Sequence, residues 1–307
     1  MKKIICIILT GILVAGLCGC SLGETLEKEL KDKDKYTAGN ATITEKVDSI
    51  IVDWASGEVN LVKGKEDAVI LEETYEGELP DDKKMQWWLD GTTLRVRYDL
   101  SVWSLAPSEE KTLTVTIPET LELEDLEIDS ASAKITTEEV SVKNGSFGAA
   151  SGDMEIRLAS AEKAHFDAAS GNINATVGTC DEIGADTASG KISLTVGTTG
   201  KIDADTASGS IDVHADEATN VSLDTASGKI STYFGKCPES IDIDSASGSV
   251  TIGLPKDAGC TVSIDTGSGD FNSQFPVQIS GSKYVIGDGS GKIDIDTASG
   301  DVDLVEN

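Results

Sequence analysis

The stretch Asp186-Thr187-Ala188-Ser189-Gly190 limits what this chain can fold into more than any other, because close copies of it return at nearly constant intervals. With the Ser of each copy as anchor, Ser151, Ser170, Ser189, Ser208 and Ser227 step by 19 residues, and Ser247, Ser268 and Ser290 follow at steps of 20, 21 and 22. Ser132 lies 19 before Ser151, with Ala133 in place of the Gly. Self-similarity at a period near 20 marks a solenoid, in which each unit buries its apolar face only by stacking on its neighbours. Such an array grows by adding coils, so 307 residues predict one elongated all-β body.

One coil can be read from Ile202 to Val213. Period-two alternation puts Ile202 and Ala204 on one face before the corner, and Ile211 and Val213 on the same face after it. The corner is built of small residues. Gly209 supplies backbone angles closed to other residues, and Ala207 lets the chain turn without crowding the interior. Stacking in register, about 4.8 Å per coil, predicts two inner ladders. One is Ile173, Ile192, Ile211, Ile230 and Val250; the other is Ile183, Ile202, Val221, Ile241 and Val262. Ser290-Gly291 and Ser299-Gly300 are only nine residues apart, close to half a period. That spacing predicts two corners per coil and a last half-coil that lacks its intervening strand.

The amino terminus carries an address. Met1-Lys2-Lys3 followed by Ile4 to Gly16 is a basic run and then an apolar one too short to span a bilayer comfortably, the pattern of a secretion signal. Leu17-Cys18-Gly19-Cys20 resembles the lipobox of bacterial lipoproteins, which implies lipidation of Cys20 as the mature amino terminus; Cys18 stands where a small residue is preferred. The organisation expected is a signal peptide over 1–19, a charged tether over 20–39, a decorated amino-terminal β region over 40–128, and regular repeats with an acidic cap over 129–307. Asp53-Trp54-Ala55-Ser56-Gly57 is an early copy of the motif, and Ser56 lies 76 residues before Ser132, equal to four steps of 19.

Val115 to Pro118, a strand ending in Pro, together with the repeated Ser-Gly-x-apolar-x-apolar units, resembles the bacterial putative-adhesin family over about residues 40 to 305. That family is a domain of unknown function found in secreted and membrane-anchored proteins and in some envelope-stress operons. The resemblance implies a single-stranded right-handed β-helix, here with turns of about 19–22 residues, and it carries over no catalytic residue.

The sharpest candidate site is the column Asp167, Asp186, Asp205, Asp224, Asp244 and Asp265, each three before its anchor Ser. Carboxylates stacked about 5 Å apart repel by on the order of 1 kcal/mol per pair in watery surroundings. Either each Asp accepts backbone N–H groups of its own corner as an Asx-turn, or the column holds Ca²⁺ or another hard cation. The Gly-Gly-x-Gly-x-Asp nonapeptide of calcium-binding β-rolls is missing. His165 and His214 are separated by 49 positions and are expected on the surface, so no catalytic set is assigned. Cys180, Cys237 and Cys260 have neither the spacing nor the histidines of a zinc site, and the different phases of Cys237 and Cys260 make a bond between them unpromising. Trp87-Trp88 is the candidate for an exposed aromatic binding patch, against a role in the core.

Net charge is −29, from 25 Lys and Arg against 54 Asp and Glu, which sets the chain against phosphate backbones and excludes nucleic acid as a partner. The functional expectation is a lipid-anchored, extracytoplasmic, non-enzymatic protein of the bacterial envelope, adhesin-like or a scaffold, with the membrane and a glycan, cell-wall or protein ligand as partners. No cofactor is expected beyond the Ca²⁺ alternative. The competing classes are a carbohydrate-active lyase or hydrolase on the same scaffold and an accessory protein of an envelope-stress system.

Overall fold

The computed structural model describes residues 32–99 and 110–307. Cys20, the signal segment and most of the tether lie outside the described residues. No described helix is long and apolar enough to cross a membrane. Among the described residues twenty-four strands form one open sheet, and the chain divides into two compact units, Met1–Arg157 and Leu158–Asn307.

In the second unit the repeat becomes parallel coils. Ile173–Thr187, Ile192–Thr206 and Ile211–Ser227 pair in parallel with a register of 19, Ile173 opposite Ile192 and Ile192 opposite Ile211. Each coil has two legs. In Ile192–Thr206 the first leg buries Ile192, Leu194 and Val196 and the second buries Ile202 and Ala204. The first expected ladder forms, and the second forms from Ile183 to Ile241, because in-register stacking takes these alternating apolar residues out of water.

The corner glycine is needed for clearance. A Cβ at Gly209 would land on the carbonyl oxygen of Gly190 one coil away, and one at Gly228 would land on that of Gly209. Among the Ser-Gly corners, left-handed backbone occurs at Gly57 (φ 93°) in the first unit and at Gly248 (φ 148°), Gly269 (φ 149°) and Gly300 (φ 145°) in the second, but not at Gly209. The expectation that Gly209 serves unusual backbone angles is therefore corrected. Ala207 is exposed and lies outside the interior it was expected to spare.

Near the end of this unit, order in space departs from order in sequence. Ser240–Ser247 pairs with Gly291–Ser299, and Gly291–Ser299 pairs on its other side with Cys260–Thr266. On the second leg Val302–Glu306 lies between Val250–Leu254 and Phe271–Ser273. The last coil in the chain is thus inserted between two earlier ones, and Ile293 separates Ile241 from Val262 in the second ladder. The reason is apolar content: Ile293, Ile295, Val302 and Leu304 are each at most 1% exposed. The coil from Cys260 has Asp265, Thr266 and Gly267 exposed at its corner and tolerates a neighbour's absence better. Two expectations fall here. Residues 291–306 form a full two-legged coil, and the acidic tail is paired on both sides rather than being a cap. The antiparallel hairpin Gln278–Ser280 with Lys283–Ile286 lies against Cys260–Thr266 instead.

The first unit shows the same inversion. Ser49–Trp54 is flanked by Thr93–Arg97 and Glu122–Ser130, and Gly57–Gly64 by Lys111–Pro118 and Lys134–Thr137. Ser49 is directly opposite Asp125, so the 76-residue offset is one step in space and not four. The intervening chain leaves the coil path. Val69–Thr74 runs antiparallel on Lys111–Pro118, and Gln86–Asp90 forms a hairpin with Thr93–Arg97.

Candidate functional site on the acidic wall

The second leg of each coil turns the residues between its buried ones outward, and register aligns them. Asp186, Asp205, Asp224 and Asp244 are successive partners, Asp296 follows Asp244, and Asp265 follows Asp296. Asp296, which the Ser290 anchor hid, is a member that the sequence reading missed. The signal for it was present: Ile293-Asp-Ile-Asp-Thr-Ala-Ser-Gly300 repeats Ile241-Asp-Ile-Asp-Ser-Ala-Ser-Gly248 at all but one position.

At two corners a threonine, not the aspartate, takes the glycine amide. The amide of Gly190 donates to Thr187 Oγ1 at 3.0 Å and that of Gly209 to Thr206 Oγ1 at 2.9 Å. Thr187 and Thr206 face inward, 6% and 4% exposed, so the Asx-turn expectation is replaced by a buried threonine cap. The carboxyl groups of the middle coils meet one another instead. Burial first, then Asp205 and Asp167, pushes the Asp186 carboxyl up to about 6. Burial, then Asp205 and Asp244, pushes Asp224 up to about 8. Asp205 is also raised by burial, but hydrogen bonds from Asp224 and Asp186 act against that. Its Oδ1 is buried without a hydrogen-bond partner. With these shifts Asp224 holds its proton at neutral pH, and Asp186 is protonated in a share of the molecules.

His165 sits at one end of this ladder, outward as expected. Gly184, opposite it, leaves room for the ring: a Cβ there would come within 2.5 Å of His165 Nδ1. Its Nε2 is 2.9 Å from Asp167 and 3.9 Å from Asp186. The hydrogen bond to Asp167 raises the His165 pKa against the opposing effect of burial. Ligand atoms of His165, Asp167 and Asp186 lie within 4.8 Å of one another, close enough to share one cation. When protonated, the His165 ring compensates these carboxylates, and a cation bound there would have to displace its proton.

On the other leg, His214 stacks on Tyr233 with ring centroids 4.8 Å apart and 14° between planes. The pair borders an open groove of about 480 Å³ that also includes Thr176, Thr195, Gly197 and Asn307. Asn307 Nδ2 donates to Phe234 O at 2.7 Å, which fixes the end of the chain at this groove.

Trp87 and Trp88 are both half-buried. Tyr36 meets Trp88 edge-on at 5.8 Å and Lys35 Nζ lies 4.4 Å over its ring, so the last residues of the expected tether clothe it. Trp87 Nε1 is buried without a hydrogen-bond partner. The same unit holds a box that the sequence reading missed. Lys111, 1% exposed, pairs with Glu73 at 2.7 Å, donates to Lys83 O at 2.9 Å and to Tyr98 O, and lies 3.7 Å from the Tyr98 ring centroid and 5.1 Å from that of Trp54. Parity was the available signal, since Lys111 shares its face with Leu113, Val115 and Ile117. Every ammonium proton has an acceptor, which makes the box a brace for the excursion from Val69 to Asp99. Cys180 is buried and its thiol donates to Glu182 O at 3.1 Å, replacing the Thr199 hydroxyl of the next coil, which donates to Lys201 O.

Solved structures share this architecture. A crystal structure described as a putative lipid binding protein from Parabacteroides distasonis aligns with a TM-score of 0.51 at 17% identity, covering 87% of this chain and 96% of that one. A second, described as a putative adhesin from the same organism, aligns with a TM-score of 0.50 at 14% identity, covering 88% and 97%. At these identities the likeness speaks for the fold. No curated protein matches the chain. The family match extends over residues 47–236 and 234–305, nearly the whole solenoid, and the chain belongs to the Toastrack DUF4097 family.

Proposed function

We propose that this chain is a lipid-anchored, non-enzymatic surface protein of the bacterial cell envelope, whose solenoid presents the acidic wall to a repetitive ligand such as a glycan, a cell-wall polymer or a basic protein segment. The observation that carries this reading is the Asp column itself. It recurs in every coil of the second unit, its crowded middle members oppose stability, and at the Gly190 and Gly209 corners a threonine rather than the aspartate takes the glycine amide. The solved neighbours' descriptions as an adhesin and a lipid binding protein agree with a binding role. Coils of this kind wind right-handed, as crossover connections between parallel strands do. The lipobox assigns the anchor to Cys20.

Two experiments test the reading. Cys20→Ala should move the protein from the membrane to the soluble fraction; a variant that stays membrane-bound overturns the anchor. Immobilised glycans and cell-wall fractions should retain the chain while the same polysaccharides remain uncut by it, whereas measurable turnover would favour the enzyme class. The His165, Asp167 and Asp186 cluster supports Ca²⁺ as an accessory ligand of the same wall. Chelation should then lower the melting temperature, and an unchanged midpoint removes Ca²⁺ from the account.

A further inference from the structure

Two legs that are not neighbours in the stack carry cysteines that meet. Cys237 leads into Ser240–Ser247, Cys260 opens Cys260–Thr266, and Gly291–Ser299 runs between those legs. Strands two steps apart are separated by about 9.6 Å, beyond disulfide reach. The gap closes here because the intervening residue is Gly291, which is opposite Cys260 in the parallel register. A Cβ on Gly291 would stand 3.3 Å from Cys237 Sγ, so the thiol occupies the space that a side chain would fill. Cys237 Sγ is 3.7 Å from the carbonyl oxygen of Gly259, the residue before Cys260, and the two thiols hydrogen-bond to one another. Cys260 is fully buried and Cys237 half-buried.

We infer that Cys237 and Cys260 form an intramolecular disulfide that staples the chain across the inserted carboxy-terminal coil. The exposed partner reacts first. The Cys260 thiol, donating to Cys237, favours the Cys237 thiolate, while burial and the neighbouring sulfur keep Cys260 protonated. The oxidant is a disulfide of the small-molecule or oxidoreductase class. The Cys237 thiolate attacks one of its sulfurs, the donor S–S bond breaks, and one donor thiolate leaves. Cys260 then loses its proton and displaces the second donor thiol from the Cys237 sulfur. Two protein thiols are oxidised, the donor is reduced to two thiols, and the two protons go to the leaving thiolates. In the cell the reaction rests on the export reading above, since a disulfide persists outside the reducing cytosol; the thiol geometry itself does not rest on it.

The test equilibrates the full chain, purified in detergent with reduced thiols, against a reduced and oxidised glutathione mixture, then acid-quenches, alkylates, digests and maps it by mass. The expected product joins the Cys237 and Cys260 peptides, about 2 Da lighter than the two thiol forms, with Cys180 alkylated in the same sample. Hydrogen exchange at Gly291–Ser299 should slow in the joined form. Cys180→Ser should leave closure intact, and Cys260→Ser should trap glutathione on Cys237. Recovery of Cys260 as a free thiol, with Cys237 either alkylated or glutathionylated, overturns the proposal. The same mapping on chain taken from acid-quenched cells separates the two readings: closure in vitro with free thiols in the cell upholds the staple and counts against export.

Discussion

Asp224→Asn isolates the cost of the acidic ladder. In the folded chain Asp224 is faced by Asp205 from one neighbouring coil and by Asp244 and Asp242 from the other, and its carboxyl is pushed from 3.8 to about 8, by burial first and by Asp205 next. The cations acting along the ladder among the described residues are Lys201, against Asp205, and His165, against Asp186. Below about pH 4 both folded and unfolded chains hold the proton, and above about pH 8 neither does. In between, the folded chain keeps a proton that the unfolded chain has released, so stability falls as pH rises through that window. A four-unit shift would correspond to about 6 kcal/mol at a dry site. Asp224 is half-buried on an outer wall, and screening reduces the effect to about 1–2 kcal/mol. Asn keeps the shape and the donor toward Asp205 but does not titrate. Urea unfolding followed by circular dichroism at pH 5 and pH 9 should therefore show the variant gaining about 1–2 kcal/mol on the natural chain as pH rises. The acids with lowered pKa, Asp48, Asp81, Glu182 and Asp288, titrate below this window, and they and Cys237 are common to both chains and cancel in the comparison. A variant-to-natural difference that is the same at both pH values would refute the shared-proton account.

Lys111→Met should cost about 3–5 kcal/mol in urea unfolding, because it strands Glu73 at 7% exposure; adding Glu73→Gln should recover part of the loss. Thr206→Val keeps the corner's volume but removes the acceptor of the Gly209 amide, and should cost about 1–3 kcal/mol with faster hydrogen exchange at Gly209. Ending the chain at Ser290 removes the inserted coil and lets Ile241 and Ile243 take Val262 and Ile264 as partners at the 21-residue spacing of the sequence repeat. The amides of Ser240–Ser247 should then stay protected in hydrogen exchange, and their loss of protection would show that the edge stays open.

Much of the interior was legible because alternation and period act through the same physics as the fold. Ile173, Ile192, Ile211 and Ile230 fall in one column whichever way the coils wind, since each must meet an apolar neighbour at strand spacing. Order in space was not legible from period alone. A coil fits wherever its phase agrees, so Ser56 and Ser132 look four steps apart and are one, and the Ile293 coil slips between two earlier ones. What decides the order is how much apolar surface each coil must cover, a comparison between coils that no single repeat contains. Lys111 and the Cys237 and Cys260 pair belong to the regions where chain order and stacking order part, and both tie down chain that leaves the regular path.

The motif that organises the chain divides into residues that folding explains and one that it does not. Thr206 is there for the Gly209 amide, and Gly209 for clearance from the coil beside it. Asp205 serves neither purpose. The adjacent outward column shows what a wall shaped only by stability could tolerate: Gly184, Asp203, Ser222, Asp242, Asp294 and Ser263 dilute acid with neutral residues. The Asp column has no such dilution from Asp186 to Asp265, and stacking at strand spacing forces its middle members to hold protons at neutral pH. A residue repeated in every coil at a cost to each, with its fold-making work done by its neighbours, is better accounted for by what the wall meets outside the protein than by what the coil needs within.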